Sequence, residues 1–426
     1  MRPWLAILAT LCLLTAACAP AAGPAGSGAA PAAQPASAGA AAKPAPAGAA
    51  APPVAAPQGQ EIVIGGSMAL TGPFAEPGRW YQRVWEWYFK DLNTRGGLLG
   101  RPVKLVLYDD ESDPNKAATL YERLLTVDKV DLLIGPYPTP TLAAVIPIAE
   151  RNGMVLVQGG TAASSLLRGH NNRYTFTIFT ALDTDHGRIW IDWLNSLPAA
   201  QRPKSAALFV LNNPYTIGIQ KGLQDQLAAI GATVVLNEVY DQSTSDFTAL
   251  VQKAKAANAE AVALLSYFPD SVLITRTMSE QAYKPKTTFN AISSTLPTWT
   301  AELKELGEYA TSPVQVWQTF PYKDTDRLSK MLQDEFKVSF VPAHAGWSMT
   351  VAQALHAAVE GCGKIDQDCI ADWLRGNTMD TVSGKIKFDR EGVPEYFHAL
   401  TQVLNGQVTV VWPRDLATAQ AVYPIP

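Results

Sequence analysis

Strand and helix signals alternate without interruption from Ile62 to Thr161, and this alternation constrains the fold more than any other feature of the chain. Apolar runs at 62–66, 102–108 and 130–135 predict strands. A helix is expected from about Arg79 to Asn93, between the first two of them. Strands that alternate with helices form a parallel sheet. The sequence therefore predicts an α/β fold with helices flanking a mostly parallel sheet.

Two loops in this stretch are candidates for a binding site. One spans 135–141 and the other spans 158–161. Both follow predicted strands, and parallel sheets bind ligands at the carboxyl ends of their strands. Both loops also offer hydroxyl groups and free backbone N–H groups at a helix start, which suit an anion. A small polar ligand is expected there.

The second half of the chain repeats the pattern. Strands are predicted at 204–211, 232–240 and 261–267, with helices between them. A chain of 426 residues, 47% of them hydrophobic, is long enough for two cores. Two similar sheets that face each other across a cleft enclose a ligand by hinge closure.

The first 18 residues read as a secretory signal, with one positive charge followed by a short apolar run. Small residues before Cys18 resemble the lipobox of bacterial lipoproteins, with Thr15 where leucine is usual, and predict lipidation of Cys18. The alternative is an ordinary signal cleaved within 16–22. Residues 19–60 are almost only Ala, Pro and Gly, which predicts a disordered tether. The expected product is an exported body anchored to the outer face of the cell membrane or held in the periplasm.

Several classes of function find no support. A net charge of −4 gives no electrostatic reason to bind nucleic acid. The sequence has no Gly-x-Ser-x-Gly elbow, no phosphate-binding glycine loop and no paired histidines at metal spacing, so we expect no enzyme, no cofactor and no metal. Cys362 and Cys369 predict a local disulfide in an oxidising compartment, with a zinc site as the weaker alternative.

Six motifs in collinear order resemble the type I periplasmic solute-binding proteins of branched-chain amino-acid ABC importers, the leucine/isoleucine/valine-binding type. The likeness covers nearly all of residues 61 to 410. The motifs are Leu70-Thr-Gly-Pro, Asp91-Leu-Asn-x-x-Gly-Gly-x-x-Gly-Arg, Asp109-Asp-x-x-Asp-Pro, Ile134-Gly-Pro, Asp246-Phe-x-x-Leu and Asp380-Thr-Val-Ser-Gly-Lys-Ile-Lys-Phe-Asp389.

The resemblance implies a monomer of two lobes joined by three crossovers, near Ala181, Trp317 and Gly392. The N-terminal lobe would comprise 61–180 plus 317–391, and the C-terminal lobe 181–316 plus 392–426. It also implies a solute trapped in the cleft and delivered to an ABC permease and ATPase in the membrane. The alternative is a ligand-sensing lipoprotein that reports to a separate membrane sensor.

The resemblance further assigns ligand contacts in the first lobe. Thr139 and Thr161 match the family's hydroxyl residues that hold a ligand carboxylate, with Tyr137 and Gly159 beside them. The simpler interpretation of Thr139 is a helix cap, and both roles are compatible.

In the second lobe, Tyr215 and Tyr267 match the family's tyrosines that close over the ligand, with core packing as the alternative for Tyr267. The family's glutamate for the ligand α-ammonium has no counterpart, because no acid occurs between Gln281 and Ala301. Ser293 lies nearest the expected position. A buried ammonium without a carboxylate is costly, so a plain α-amino acid is a less favoured ligand.

The first predicted helix is unusually aromatic. Tyr81, Trp85 and Tyr88 form a stripe at helical spacing, which predicts core packing. Trp80, in the opening turn, is expected near the cleft mouth. Together with Phe74 it would stack on an aromatic or hydrophobic ligand.

Overall fold

The computed structural model describes residues 56–426. Its first sheet has five strands in the spatial order β2-β1-β3-β4-β5, and every neighbouring pair is parallel. The strands are β1 (Ile62–Met68), β2 (Val103–Asp109), β3 (Leu132–Ile134), β4 (Leu156–Gln158) and β5 (Thr175–Thr177). The predicted parallel sheet is confirmed. This sheet and the helices packed on it are called the first lobe.

Four helices connect these strands: α1 (Ala75–Thr94), α2 (Pro114–Thr126), α3 (Thr139–Arg151) and α4 (Ser164–Leu167). Helix α1 begins four residues before the predicted start at Arg79. Pro77 is tolerated there because N–H groups of the first turn have no intrahelical partner. Gly78 is required at its position, since a Cβ atom would lie 1.9 Å from the Ala69 carbonyl oxygen.

The second sheet has seven strands in the order β14-β13-β10-β9-β8-β6-β7. It is parallel from β7 to β10 and antiparallel at the β13 and β14 edge. The strands are β6 (Ser205–Leu211), β7 (Thr233–Tyr240), β8 (Ala261–Leu265), β9 (Thr287–Asn290), β10 (Thr311–Val314), β13 (Ala399–Leu404) and β14 (Gln407–Trp412). Helices of this second lobe are α5 (Asp183–His186), α6 (Arg188–Ser196), α7 (Pro214–Ala229), α8 (Thr248–Ala256), α9 (Phe268–Glu280) and α10 (Pro297–Leu303).

The chain returns to the first lobe after β10. This segment holds α11 (Thr325–Phe336), α12 (Ala343–Cys362), α13 (Gln367–Gly376) and the hairpin β11 (Thr378–Thr381) and β12 (Gly384–Lys387). The indole N–H of Trp85 on α1 donates to the Ser348 carbonyl on α12 at 2.8 Å. A disulfide joins Cys362 to Cys369.

Three segments cross between the lobes and lie side by side. The N–H of Phe397 donates to the Thr180 carbonyl at 3.0 Å. The Thr180 N–H donates to the Gln315 side chain at 3.3 Å. One residue from each crossover therefore takes part in one hydrogen-bonded group, and the molecule has two lobes with a three-segment hinge.

The signal sequence, Cys18 and most of the tether (19–60) lie outside the described residues. Within 56–426, no helix is long and apolar enough to cross a membrane.

Candidate functional site

A pocket lies where loops of the two lobes meet, and we call it the interlobe pocket. Its volume is about 10 Å³, roughly the room that one water molecule needs. A solute can enter only when the lobes separate or the side chains shift. The lining residues are Tyr137, Thr139, Gly160, Ala162, Phe179, Tyr215, Tyr267, Ile292 and Trp347.

Four residues predicted from the sequence line this pocket: Tyr137, Thr139, Tyr215 and Tyr267. A fifth, Phe74, packs edge-to-face on two of them. Its ring centroid lies 5.0 Å from that of Tyr267 and 6.3 Å from that of Tyr137. Since Phe74 and Tyr267 belong to different lobes, this pair also bridges the cleft.

The turn after β2 holds the loop that carries Phe74. The carboxylate of Asp109 accepts from the Leu70 N–H at 3.0 Å and from the Thr71 hydroxyl at 2.7 Å. The Ser112 hydroxyl accepts from the Phe74 N–H at 3.3 Å. These hydrogen bonds fix the backbone where α1 begins. The side chain of its N-cap residue makes no capping hydrogen bond.

Thr161 lies behind Thr139 and does not line the pocket. Their hydroxyl oxygens are 2.9 Å apart, and Thr161 Oγ1 also accepts from the Ala163 N–H at 3.0 Å. The pair has two hydroxyl protons, of which one is used between them. When Thr161 donates to Thr139, the Thr139 proton remains for an oxygen in the pocket.

The loop 158–161 differs from the prediction of free backbone N–H groups. The side-chain oxygen of Gln158 accepts from the N–H groups of Gly160 and Thr161 at 2.8 and 2.9 Å, and its amide donates to the Thr161 carbonyl at 3.0 Å. Gly159, a predicted contact, is replaced in the lining by Gly160; the Gly159 carbonyl accepts from the Tyr81 hydroxyl. A Cβ atom on Gly160 would lie 2.0 Å from the Pro136 carbonyl oxygen.

Two further predicted residues lie outside the lining of the interlobe pocket. The Ser293 hydroxyl donates to the Ser271 hydroxyl at 2.8 Å, and its neighbour Ile292 lines the pocket instead. A short 3₁₀ turn after β9 places Ser293 in that polar contact. Trp80 packs on Phe336, with centroids 5.9 Å apart, and lies outside the lining.

Sequence reasoning missed Phe179, Ile292 and Trp347. Trp347 lies on α12, and its ring centroid is 4.7 Å from that of Phe179. It occurs in a helix that is buried over nearly its whole length, so its local pattern is that of a core residue. Only the return of the chain to the first lobe brings it to the pocket.

Two lining side chains carry a buried polar atom without a hydrogen-bond partner among the described residues. These atoms are the indole nitrogen of Trp347 and the hydroxyl oxygen of Tyr267. Buried polar groups are nearly always hydrogen-bonded, because leaving one unpaired costs about 1–3 kcal/mol. Both groups can donate to an oxygen atom of a molecule in the pocket.

The lining contains no charged side chain. Burial raises the pKa of Tyr267 to about 12. The hydroxyl and backbone N–H of Thr139 limit the rise, since they lie near the Tyr267 oxygen, although neither meets it in hydrogen-bond geometry. Burial also raises the pKa of Tyr137 and of Tyr215 well above the ordinary value. The Tyr215 hydroxyl lies 3.0 Å from His186 Nε2. The pocket therefore presents neutral hydroxyl and indole donors.

The acid on α1 nearest in sequence to Phe74 is Glu76, which is outside the lining. Burial is the largest influence on its carboxyl and raises its pKa, while the Trp80 indole and the Thr298 hydroxyl lower it. The Trp80 indole donates to Glu76 Oε1 at 3.1 Å. Across residues 56–426, no group of three or more His, Cys, Asp or Glu side chains is placed to hold a metal ion.

Comparisons with known proteins agree with this architecture. The family model for periplasmic binding proteins matches residues 61–405. An amino acid binding protein from Pseudomonas aeruginosa is 25% identical over 335 residues, which is 78% of this chain and 87% of that protein.

Two solved structures show the same fold. A leucine binding protein from Thermotoga maritima has a TM-score of 0.74 at 19% identity, covering 82% of this chain and 97% of that one. An ABC transporter solute binding protein from R. palustris, in complex with benzoate, has a TM-score of 0.74 at 17% identity, covering 85% and 98%.

The two-lobed fold and its interlobe pocket define a type I binding protein, and the chain belongs to the periplasmic binding protein family. Several of its relatives, at about 25% identity, are Leu/Ile/Val-binding proteins. Solved structures with the same fold include solute-binding proteins of ABC transporters. The relatives are solute-binding proteins and not enzymes.

Proposed function

We propose that this protein captures a small organic solute with a carboxylate or amide group and a hydrophobic or aromatic body, and delivers it to an ABC importer. The observation that carries this proposal is the pocket's chemistry. Aromatic rings form most of its wall, and its unpaired polar groups are neutral donors.

Neutral donors favour an oxygen-bearing group on the solute. The hydroxyls of Thr139 and Tyr267 and the indole of Trp347 can each donate to a carboxylate or carbonyl oxygen, and such bonds are stronger when the acceptor is charged. An α-ammonium would meet no carboxylate in the lining, and burying it unpaired costs several kcal/mol. The benzoate complex of the R. palustris protein supports a carboxylate without an ammonium. Leucine binding by the Thermotoga maritima protein is the contrasting precedent.

The lobes are proposed to comprise 61–180 plus 317–391 and 181–316 plus 392–426. The contact of α12 with α1 supports the first assignment. Hydrogen bonds among Thr180, Gln315 and Phe397 support a hinge near Ala181, Trp317 and Gly392. Opening at this hinge would widen the interlobe pocket for a solute. The working unit is proposed to be a monomer.

Lipid attachment at Cys18 is proposed to anchor the body, through the tether at 19–60, to the outer face of the cell membrane. The Ala-Ala pair before Cys18 supports this. Expression of the full chain with Cys18→Ser should move the protein from the membrane fraction to the soluble fraction. Retention of this variant on the membrane would contradict the anchor.

A sensing role is the second hypothesis for the same fold, and the transporter-associated relatives do not favour it. The sensing role would be supported by a solute that stabilises the protein but is not taken up by cells carrying the permease encoded beside its gene.

A thermal-shift panel tests the proposed solute class, because a ligand stabilises the state that it binds. The panel contains α-amino acids, aromatic carboxylic acids, short amides and ureas. We expect aromatic or hydrophobic acids or amides to raise Tm. Stabilisation by leucine, isoleucine or valine alone would contradict the proposed class.

A further inference from the structure

A second cavity of about 330 Å³ opens on the surface of the second lobe, and we call it the amide cavity. Residues of α9, β9 and α10 and the segment 305–310 form its wall, with Ile425 beside them. Its volume is within the range of small-molecule sites. It shares no lining residue with the interlobe pocket.

Asn290, the last residue of β9, is the polar centre of this cavity. Its side chain is 1% exposed, and neither Oδ1 nor Nδ2 has a hydrogen-bond partner among the described residues. Its backbone carbonyl is satisfied, since it accepts from the Ser312 hydroxyl at 2.9 Å. A buried amide normally pairs both of its polar atoms. Both atoms are unpaired and covered by the cavity wall, so a partner in the cavity pairs with them once a neighbouring side chain of the wall shifts.

Three further polar groups of the wall are engaged within the protein. The Thr275 hydroxyl donates to the Ser271 carbonyl at 2.7 Å, and the Tyr283 hydroxyl donates to the Ala259 carbonyl at 2.7 Å. The Trp299 indole donates to the Gly307 carbonyl at 3.1 Å.

Glu308 is the partly buried acid of the wall, and it already has hydrogen-bond partners within the protein. The carboxylate of Glu308 accepts from the N–H groups of Asn405 and Gly406 at 2.9 and 2.5 Å. Lys284 and Glu305 are exposed, where water competes for their charge. Met278, Trp299 and Ala310 give the interior an apolar surface.

We propose that the amide cavity is a second binding site, for a small uncharged molecule with a carboxamide or urea group. The Asn290 amide needs both a donor and an acceptor from its partner. A carboxylate has no proton to give to Oδ1, and an ammonium has no acceptor for Nδ2. An amide or urea supplies both groups in one plane, and its apolar part lies against Met278 and Trp299.

Benzamide is the probe, and acetophenone is its matched control because it keeps the ring and the carbonyl but has no N–H. Crystals of the protein soaked in benzamide should show its amide paired with Asn290. In solution, titration by saturation-transfer NMR should show that acetophenone binds at least about tenfold more weakly than benzamide. The titration is repeated in the Tyr215→Ala variant, so that binding between the lobes does not contribute.

Asn290→Leu should weaken benzamide binding by about tenfold or more, because the paired hydrogen bonds are lost. Asn195→Leu, on an exposed part of the same lobe, should leave the affinity unchanged. Where Asn290→Leu fails to fold, Asn290→Ala replaces it; it removes both polar atoms of the side chain, so the same weakening is expected. Water alone beside Asn290 in soaked crystals, benzamide only between the lobes, or equal affinity in the wild type and the Asn290 variants would overturn the proposal.

Discussion

Tyr267 and Trp347 each combine an aromatic ring in contact with other rings and a buried polar atom that has no partner within residues 56–426. Such an arrangement lowers stability unless a bound molecule completes it. Tyr283, in the same lobe as Tyr267, shows the contrasting case of a buried tyrosine whose hydroxyl donates a hydrogen bond to a carbonyl. The comparison of Tyr267 with Tyr283 therefore distinguishes a hydroxyl that is available for binding from one that stabilises the fold.

Tyr267→Phe should leave the free energy of unfolding equal or slightly higher, because only an unpaired hydroxyl is removed. Affinity for the solute should fall about five- to tenfold. Tyr283→Phe should show the reverse, with a loss of about 1 kcal/mol in stability and unchanged affinity. Chemical denaturation and calorimetric titration measure the two quantities. A large stability loss in Tyr267→Phe with unchanged affinity would refute the assignment.

Glu76→Gln tests whether this carboxylate recognises a positive group on the solute. Because Glu76 lies outside the lining and is bonded to Trp80, we expect the affinity to change by less than about twofold, as for the exposed control Glu86→Gln. An affinity loss beyond about tenfold in Glu76→Gln alone would indicate an ammonium partner on the first lobe.

His344 should make the protein less stable in acid. Burial lowers its pKa to about 3, whereas an unfolded histidine titrates near 6.5. Between these values the unfolded chain binds the extra proton, so stability from this residue is lost as pH falls below about 6.5. Buried carboxyls with raised pKa, such as Asp110, act in the opposite direction, so a comparison with a variant is needed.

His344→Phe removes this proton uptake. The free energy of unfolding of the variant minus that of the wild type should increase by about 2 kcal/mol when the pH is lowered from 7 to 4.5. The exposed His170→Phe is the control. Denaturant melts of all three proteins at both pH values measure the effect, and a difference that does not depend on pH would contradict it.

The family resemblance, together with the place of each residue after a predicted strand, pointed to Tyr137, Tyr215 and Tyr267, and all three line the interlobe pocket. It could not identify Trp347, whose neighbours in sequence are uniformly buried. Ligand contacts of Gly159 and Ser293 stay predictions. Their neighbours Gly160 and Ile292 line the pocket, because loop geometry decides which of two neighbours faces it.

At the scale of elements, the alternating pattern predicted the first four strands of the first sheet and their parallel pairing, but not β5. The start of α1 was predicted too late, since Pro77 and Gly78 look like turn residues and are accommodated in the first helical turn. The fold of loop 158–161 depends on Gln158 bonding to its own loop. Such a local hydrogen-bond arrangement has no signature in sequence periodicity.

Gln158→Ala should destabilise the protein by about 2–4 kcal/mol, because three buried hydrogen bonds are lost and two N–H groups are left unpaired. Gln333→Ala, on the exposed side of α11, should change stability by less than about 0.5 kcal/mol. Denaturant unfolding compares the two variants. A Gln158→Ala protein as stable as the control would show that the loop is held in another way.

At the scale of the whole molecule, the three crossovers form one hydrogen-bonded group, and the interlobe pocket has a volume of only about 10 Å³. A hinge of this kind allows the lobes to open, and closure then brings Phe74 against Tyr267. The residues that line the pocket are distant from one another in sequence. The repeat of strands and helices therefore predicted a cleft but not its complete lining.

Calorimetric titration with matched pairs of acids tests the central claim most directly. Each pair has one side chain with and without the α-amino group: leucine with 4-methylpentanoate, and phenylalanine with 3-phenylpropanoate. A pocket of neutral donors without an acid predicts that the acid lacking the amino group binds at least as tightly as the amino acid in each pair. Amino acids that bind more than about tenfold tighter than their partners would contradict it.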